Sequence, residues 1–377
     1  LINEPVSANN KYVTVAGGGD GSSIGSPMTL AQAWAEKAAN TTYHIKAGNY
    51  GDVKTVIVPS GTTATTPVIF KGYITTPDDL DGVDYYTYVK GNSLSSSAAP
   101  LLTGSSPDDG IVTVGNYVIY RNIQIQGYSA AFYSNNSNYI IYDNCVSKDA
   151  NNSFLHYYGS TTTNNRMINC ISVNAGVHAF STETHFSLMK NNKVYADDNG
   201  SDPLDYYFSL SKTENSIALN NLAYKVDNIA HSGHGMSIQT PTGTSTNCTY
   251  NLIENHEVIN IAKAAELRHS GVSHNVIRNL SSTNTNASIY TGGIVFRDAC
   301  SYNVVENSYF NVVTGDPIRF EESTETLGDG LGDYNTVRNC IFNTGGRAIV
   351  FSSDNGAANG SFNKIYNNTF YNFDNLF

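Results

Sequence analysis

Five ionisable residues between positions 266 and 321 are expected on the outward face of three neighbouring strands, in a chain whose charged residues make up only 14%. They are Glu266, Arg268, Arg297, Arg319 and Glu321. Two carboxyl groups roughly 5 to 9.5 Å apart can hydrolyse a glycosidic bond, one as the acid and the other as nucleophile or base. An arginine can instead neutralise a sugar carboxylate while a base removes the neighbouring proton and the leaving group is eliminated. These residue types predict acid–base chemistry of one of these two kinds.

Other residues extend this candidate site. The predicted catalytic set is Asp205, His234, Glu266, Arg268 and Glu321. His234 has a glycine on either side, which brings the backbone close and leaves the ring exposed. Elimination would need a base, and His234, Lys212 and two tyrosines are candidates. The predicted substrate-binding residues are Glu183, Lys212, Gln239, His269, Arg297, Arg319, Tyr206 and Tyr207.

Two oxygen-rich loops, at residues 197–202 and 329–333, are weak candidates for calcium binding. The first offers Asp197, Asp198 and Asp202. Neither loop has the full spacing of an EF-hand, and acidic loops are commonly only solvated. No other metal or cofactor is predicted.

An asparagine that recurs along the chain aligns these distant residues on neighbouring coils. It ends a short apolar run every 22 to 34 residues, which is one coil of a β-solenoid. This first column is Asn122, Asn144, Asn169, Asn192, Asn221, Asn255, Asn279, Asn307, Asn339 and Asn367. A second column, four residues earlier, contains Asn165, Asn251, Asn275, Asn303, Asn335 and Asn363. We expect stacked amides in buried turns, left-handed backbone there, and coils ~4.8 Å apart.

Each repeat also contains a strand whose alternation separates inward from outward side chains. The side chains expected inside are Phe180, Phe208, Leu210, Met236, Ile238, Leu267, Ile294, Phe296, Ile318, Phe320, Ile349 and Phe351. Those expected outside include Ser181, Glu183, Ser209, Ser211, Ser237, Gln239, Glu266, Arg268, Arg297, Arg319 and Glu321. The longest coils, at 197–206, 240–247, 283–292 and 324–334, would raise walls around this outward face and make it a groove.

The span of the repeats favours one all-β domain over residues 1–377. Residues 1–42 would supply a first strand and an amphipathic capping helix around the only tryptophan, Trp34, and residues 43–377 about ten to twelve coils. The five cysteines have no metal spacing. Cys145 and Cys170 each follow a column asparagine, so buried thiols are favoured and a disulfide between them is the alternative.

Composition narrows the choice of partner. The formal net charge of −11 argues against a nucleic acid. No apolar run approaches the ~20 residues of a membrane span. A surface rich in neutral polar residues is typical of secreted β proteins, so we expect a secreted or periplasmic monomer whose signal peptide has been removed.

The asparagine-punctuated coils over roughly residues 40–377 resemble right-handed parallel β-helix proteins. Most enzymes of that architecture act on polysaccharides, so the resemblance implies that fold and a polysaccharide substrate. Arginines in the groove suit an anionic polymer, because the guanidinium group binds planar oxyanions.

Three motifs are similar to particular enzymes. The stretch 231–238 looks like the Gly-His-Gly strand of polygalacturonase-type glycoside hydrolases, although Tyr206 stands where that family has a second aspartate. Residues 267–271 resemble the Arg-His-Gly strand of the chondroitinase B and alginate lyase family, whose arginine is the acid. The lysine base of that family lies one coil earlier, where this chain has Gln239 or Thr240. Residues 202–205 resemble the Asp-Pro-His-Asp pattern of alginate epimerases, with Leu204 replacing the histidine.

The sequence favours a glycoside hydrolase that cleaves an anionic polysaccharide with an Asp/Glu acid–base pair. One alternative is a lyase that acts on a uronate polymer, with Arg268 and a His, Lys or Tyr base. The other alternative is a carbohydrate-binding or adhesive solenoid without catalysis.

Overall fold

The computed structural model describes residues 7–157, 162–197, 204–226, 233–240, 246–284, 292–312, 315–322, 330–353 and 360–375. The chain divides into two compact units, Leu1–Ala179 (unit 1) and Phe180–Phe377 (unit 2). In each unit the chain passes in turn through three parallel sheets. This is the arrangement of a parallel β-helix, so the predicted fold class is confirmed. That the whole chain is one domain stays a prediction.

Strands are numbered β1 to β38 in chain order. In unit 1 the first sheet contains β1 (Asn9–Val13), β2 (Thr41–Lys46), β5 (Val68–Tyr73), β8 (Val118–Arg121), β11 (Ile141–Asp143) and β14 (Arg166–Ile168). The second contains β3 (Gly48–Gly51), β6 (Pro100–Thr103), β9 (Gln124–Gln126), β12 (Val146–Lys148) and β15 (Ile171–Val173). The third contains β4 (Thr55–Ile57), β7 (Ile111–Thr113), β10 (Ala130–Asn135) and β13 (Asn152–Tyr157). Strand β16 (His178–Thr182) crosses the division between the units.

The helix expected near the start of the chain is α1 (Leu30–Glu36). Thr29 and Gln32 form a capping box, in which each side chain accepts a hydrogen bond from the other residue's backbone N–H, at 3.2 and 2.7 Å. Trp34 is buried, and its ring meets Phe70 edge-on at 4.5 Å. Trp34 is therefore a core residue, as predicted, while the capping role of the helix stays a prediction. Within the described ranges, no helix is long and apolar enough to cross a membrane.

Unit 2 repeats the same order of sheets. Its first sheet contains β17 (Leu188–Lys190), β20 (Ile217–Leu219), β24 (Leu252–Glu254), β28 (Val276–Arg278), β31 (Val304–Glu306), β34 (Thr336–Arg338) and β37 (Lys364–Tyr366). Its second contains β18 (Lys193–Ala196), β21 (Leu222–Lys225), β25 (Glu257–Ile259), β29 (Ser281–Thr283), β32 (Tyr309–Asn311), β35 (Ile341–Arg347) and β38 (Thr369–Asn375). Its third contains β19 (Tyr206–Ser211), β22 (His234–Gln239), β26 (Lys263–Arg268), β30 (Gly292–Arg297), β33 (Ile318–Glu322) and β36 (Ile349–Ser353). A small additional sheet pairs β23 (Cys248–Thr249) with β27 (Val272–Ser273).

The buried amide ladder is formed by the second asparagine column. Nδ2 of Asn275 donates to Oδ1 of Asn303 at 3.0 Å and to the carbonyl of Cys248 at 2.9 Å. The same contact joins Asn251 to Asn275 and Asn303 to Asn335, at 3.0 and 3.1 Å. These side chains occupy the interior because the buried backbone groups of the turn need partners there.

The first asparagine column supplies the left-handed turns, as predicted. In most coils its φ values lie between 51° and 55°, at Asn122, Asn144, Asn169, Asn255, Asn279, Asn307, Asn339 and Asn367. The prediction that this column is buried is wrong for Asn169, Asn255, Asn279, Asn307, Asn339 and Asn367, which are exposed. In two coils the left-handed residue is the preceding asparagine, Asn191 or Asn220, and the predicted Asn192 and Asn221 are buried.

The interior largely follows the predicted alternation. The inward residues of β19, β22, β26, β30 and β33 are buried, and the rings of Phe296 and Phe320 stack at 4.9 Å. Phe351 is an exception at 52% exposed, because β36 is the last strand of this sheet among the residues that the structure describes. All five cysteines are free and buried, so the thiol interpretation is confirmed and a disulfide between Cys145 and Cys170 is not formed.

Candidate active site

The predicted outward residues of unit 2 form two rows across neighbouring strands. One row is Ser209, Ser237, Glu266, Val295 and Arg319, and the other is Ser211, Gln239, Arg268, Arg297 and Glu321. The structure thus brings the five ionisable residues together on adjacent strands, as expected. Glu266 and Glu321 are not stacked directly, because they stand in different rows.

A third row, Tyr206, His234 and Lys263, lies at the start of the same strands. Simple alternation would place this row inside, with Phe208. However, the row between them also faces inward: Tyr207 is 1% exposed, and a Cβ on Gly235 would stand 2.6 Å from Val258. Because two consecutive residues face inward, the residue before them faces outward. The third row therefore lies on the same side of the sheet as Glu266.

The charged side chains of these three rows form one cluster, and Glu266 is its centre. It is 0% exposed, yet it contacts three cationic side chains. Its Oε2 lies 3.0 Å from Nε2 of His234, and its Oε1 lies 2.7 Å from Nζ of Lys263 and 3.5 Å from Nη1 of Arg297. Burial alone would raise the pKa of Glu266, but His234 and Lys263 outweigh burial and hold this pKa well below its usual range. Glu266 is therefore a buried, ionised carboxylate.

His234 is only 6% exposed, so the prediction that its ring is exposed is wrong, and the ring is held from both sides. Nδ1 lies 3.1 Å from the backbone carbonyl of Asp205 and 3.2 Å from its carboxylate, and the ring stacks on Tyr206 at 5.1 Å. Burial lowers the pKa of His234, but the charge of Glu266 and the hydrogen bonds to Asp205 and Glu266 raise it to about 9. At neutral pH, the imidazolium form is favoured.

A second buried carboxylate, Asp298, organises the other end of the rows. It is 0% exposed, and its Oδ2 lies 3.4 Å from Nε of Arg268 and 3.3 Å from Nε of Arg297. His269 faces it at 3.7 Å. The left-handed backbone of Asp298, with φ of 54°, directly follows β30. Glu321 lies between Arg297 and Arg319, at 3.5 and 3.2 Å.

The remaining predicted residues differ in accessibility. Tyr206 is half-buried, and its hydroxyl hydrogen-bonds Gln239; burial, Asp205 and Glu266 raise the pKa of this hydroxyl to about 12. Glu183 and Lys212 bind each other at 3.3 Å. Tyr207 cannot stack on a sugar because it is a core residue, so its prediction as a substrate-binding residue is wrong. His269 is only 6% exposed, and burial together with Arg268 lowers its pKa.

Sequence reasoning missed two members of this cluster, Lys263 and Asp298. Lys263 is the first residue of β26, and its spacing of three residues from Glu266 was the available signal. Asp298 directly follows the last residue of β30, where period-two alternation no longer applies.

Among the residues that the structure describes, the cluster carries more positive than negative groups. Its described cations are His234, Lys263, Arg268, Arg297 and Arg319, and its described carboxylates are Asp205, Glu266, Asp298 and Glu321. Within this described set, five cations stand against four carboxylates, on a chain with a formal charge of −11. A site of this kind favours an anionic ligand over a neutral one.

Parts of the predicted site lie outside the described residues. They include Asp198 and Asp202 of the calcium hypothesis and most of the loops expected to wall the groove. Asp197 is described and buried. No group of three or more His, Cys, Asp or Glu side chains suited to a metal ion occurs among the described residues.

No protein-family model and no curated protein matches the sequence. Solved structures do match. They include the A-module of the Azotobacter vinelandii mannuronan C-5 epimerase AlgE4, with 13% identity, a TM-score of 0.59 and 96% of each chain covered. A mannuronic acid specific polysaccharide family 6 lyase from human gut microbiota has 10% identity and a TM-score of 0.54, covering 98% of this chain and 82% of the lyase. The catalytic domain of a GH87 α-1,3-glucanase has 14% identity and a TM-score of 0.55, and the match covers 94% of this chain and 68% of the glucanase chain. At such low identity, these similarities support the parallel β-helix fold and nothing finer.

Proposed function

We propose that this protein cleaves a uronate-containing polysaccharide by β-elimination. The observation that carries the proposal is the state of Glu266, which is fully buried and bound by His234, Lys263 and Arg297. A general acid must carry a proton and reach the leaving oxygen. Glu266 meets neither requirement, whereas the cations around it suit a substrate carboxylate.

The hydrolytic pair favoured by the sequence is less well supported. Glu266 is ionised and covered, and Glu321 is paired with Arg297 and Arg319. Among the described carboxylates of the cluster, Asp205 is the most exposed, with 45% of its side chain accessible. Hydrolysis requires two carboxyl groups with separate roles, and the other described carboxylates of the cluster are buried or paired with arginines.

Elimination would use the arginines and the tyrosine of the cluster. Arg268 and Arg297 would pair with the uronate carboxylate and stabilise the negative charge that develops when the C5 proton leaves. The electron pair then forms the C4=C5 double bond, and the C4–O bond breaks. Tyr206, whose raised pKa keeps its hydroxyl protonated, would donate the proton that the leaving oxygen takes up.

The names of two structural neighbours support a uronate as the substrate. One is a mannuronan C-5 epimerase and the other a mannuronic acid specific lyase. Both names specify a polymer or sugar that carries a carboxylate at C5. The choice of elimination rests on the cluster itself.

The experiment compares two arginine variants on alginate, polygalacturonate and chondroitin. Unsaturated sugar ends are measured by near-ultraviolet absorbance and reducing ends by a colour reaction. We expect unsaturated ends from the wild type and from Arg278→Gln, a control that removes an arginine bound to Glu254 on the first sheet. Arg268→Gln should lose about 100-fold or more in turnover, because it removes a stabiliser of the developing charge.

Other outcomes would decide against elimination. Reducing ends without unsaturation would show a hydrolase. Binding of a polymer with no new ends of either kind would show a carbohydrate-binding solenoid.

A further inference from the structure

We propose that Asp298 is a positioning residue, which holds Arg268 and Arg297 together as one binding site for a carboxylate of the substrate. This inference rests on the proposed function, because it concerns the two arginines that would pair with the uronate. Asp298 is 0% exposed, so a polysaccharide chain cannot reach its carboxylate. Asp298 therefore acts through the arginines and does not touch the sugar.

The backbone fixes where Asp298 lies. Its N–H donates to the carbonyl of Glu321 at 3.0 Å, so the residue stays in the ladder of the third sheet although β30 ends at Arg297. Its φ of 54° is left-handed, which aspartate and asparagine tolerate better than most residues. The turn thus places a carboxylate directly beyond the row in which Arg268 and Arg297 are neighbours.

One oxygen of this carboxylate is shared by both arginines. Oδ2 of Asp298 lies 3.4 Å from Nε of Arg268 and 3.3 Å from Nε of Arg297. The two arginines are register partners on adjacent strands, which lie about 4.8 Å apart. Like charges at this spacing repel each other, and a shared counter-charge offsets the repulsion. Asp298 therefore allows two cations to stay close enough to meet one substrate carboxylate.

Burial makes this counter-charge effective. The side chains of Arg268 and Arg297 are only 11% and 15% exposed, so water and salt screen their contacts with Asp298 weakly. His269 also faces Oδ2, at 3.7 Å, but burial and Arg268 lower the pKa of its ring. The ring is therefore neutral at pH 7 and leaves the charge of Asp298 to the two arginines.

Asp298→Asn removes the charge and keeps the shape, and asparagine tolerates the left-handed backbone. The probes are the trimers of galacturonate, mannuronate and guluronate, and binding is measured by isothermal titration calorimetry. We expect the variant to bind the preferred trimer about tenfold more weakly than the wild type, because the arginines lose their common anchor. If Asp298 only added negative charge to the site, its removal would tighten the binding of an anion. Tighter or unchanged binding would therefore overturn the proposal.

Asp316 provides a matched control in unit 2. Its side chain is 3% exposed, and its Oδ2 lies 3.2 Å from Nη2 of Arg347. Arg347 is the last residue of β35 on the second sheet, so this pair lies outside the cluster. Asp316→Asn also removes a buried, arginine-bound carboxylate, and both variants should lower the urea midpoint. Only Asp298→Asn should weaken binding; an equal weakening by both would show a general loss of stability and would contradict positioning.

Turnover gives a readout that a purely structural carboxylate would not change. Asp298→Asn should lower kcat by about 10- to 100-fold, because small displacements of a group that stabilises developing charge are costly. In the Arg268→Gln background the same substitution should cost at most about threefold, since its effect passes largely through Arg268. Equal losses in the two backgrounds would show that Asp298 does not act through this arginine.

The two proposals fail in different ways. If the wild type produces unsaturated ends but Asp298→Asn binds and turns over normally, the positioning role is wrong and elimination stands. If the wild type binds a trimer but yields no unsaturated ends, elimination is wrong, and the direction in which Asp298→Asn shifts binding still decides the positioning role. If the wild type binds none of the trimers, the carboxylate site itself is wrong.

Discussion

The third sheet has opposite chemistry on its outer row in the two units. In unit 1, the register aligns Val56, Val112, Tyr133 and Leu155, and Val56 is 56% exposed. In unit 2, the outer row contains Ser209, Ser237, Glu266, Val295 and Arg319. The strands have the same parallel pairing in both units, so the backbone does not account for the difference.

Behind these outer rows, the inward row is polar in unit 1 and apolar in unit 2. In unit 1, the inward row contains Thr113, Ser134 and His156, and the Ser134 hydroxyl lies 2.6 Å from Nδ1 of His156. In unit 2, the inward row is apolar throughout: Leu210, Ile238, Leu267, Phe296 and Phe320.

This difference separates polar groups that build the fold from those that could do chemistry. In unit 1, the hydroxyl of Thr113 pairs with that of Tyr120, and the hydroxyl of Ser134 with Nδ1 of His156, inside the core. The polar groups of unit 2 stand on an apolar floor, where Glu266 and Asp298 have no exposed surface and their interactions with cations are weakly screened. Charged groups are retained at such positions only with close partners, because burying an unpaired charge is costly.

The largest effect should come from removing the centre of the unit 2 cluster. Glu266→Gln leaves His234, Lys263 and Arg297 without their common counter-charge. We expect the free energy of unfolding to fall by roughly 3 to 5 kcal/mol, measured by urea denaturation. The matched change on the outer row of unit 1, Val56→Gln, should stay within about 0.5 kcal/mol. Equal, small losses in both variants would remove the distinction between the two faces.

The second prediction is that a histidine in each unit makes stability depend on pH in opposite directions. The folded-state pKa of His234 is raised to about 9, so its stabilisation is complete below the unfolded value of 6.5 and is lost as the pH rises through 9. Burial lowers the pKa of His156 to about 3, so the folded state keeps that ring neutral and loses stability as the pH falls from 6.5 towards 3. The full loss should be about 3 kcal/mol for His234 and about 5 kcal/mol for His156.

Urea midpoints across pH, for the wild type and two variants, check this prediction. His234→Asn should flatten the alkaline side only, and His156→Leu the acid side only. If either variant changed both sides equally, the assignment of each pH limb to one histidine would be wrong.

The repeating asparagines were sufficient to predict the fold and the rows of the site. Their spacing aligned Glu266, Arg268, Arg297, Arg319 and Glu321 correctly on neighbouring strands. Spacing could not show which asparagine column is buried, because both columns repeat with the same period. That distinction depends on which backbone groups the turn buries.

The missing parts of the site have a common physical cause. Period-two alternation fails where two consecutive residues face inward, as at Tyr207 and Phe208, so Lys263 escaped notice and Tyr207 was misplaced. The alternation also ends with the strand, where the left-handed turn at Asp298 places a buried carboxylate beside Arg268 and Arg297. Both errors lie at strand ends.

The smallest effect tests whether the excess positive charge of unit 2 attracts the polymer. Arg319 lies at the edge of the cluster with 22% of its side chain exposed, and Glu321 already pairs with it. Arg319→Gln should therefore weaken the binding of an oligouronate only about three- to tenfold, and less at high salt. Lys54→Gln removes a more exposed cation, 51% exposed, beside Val56 in unit 1 and should leave binding unchanged. Isothermal titration calorimetry at low and high salt measures both. Equal weakening by both variants would mean that the whole protein's charge governs binding, and the comparison between the two faces would then say nothing about where the substrate lies.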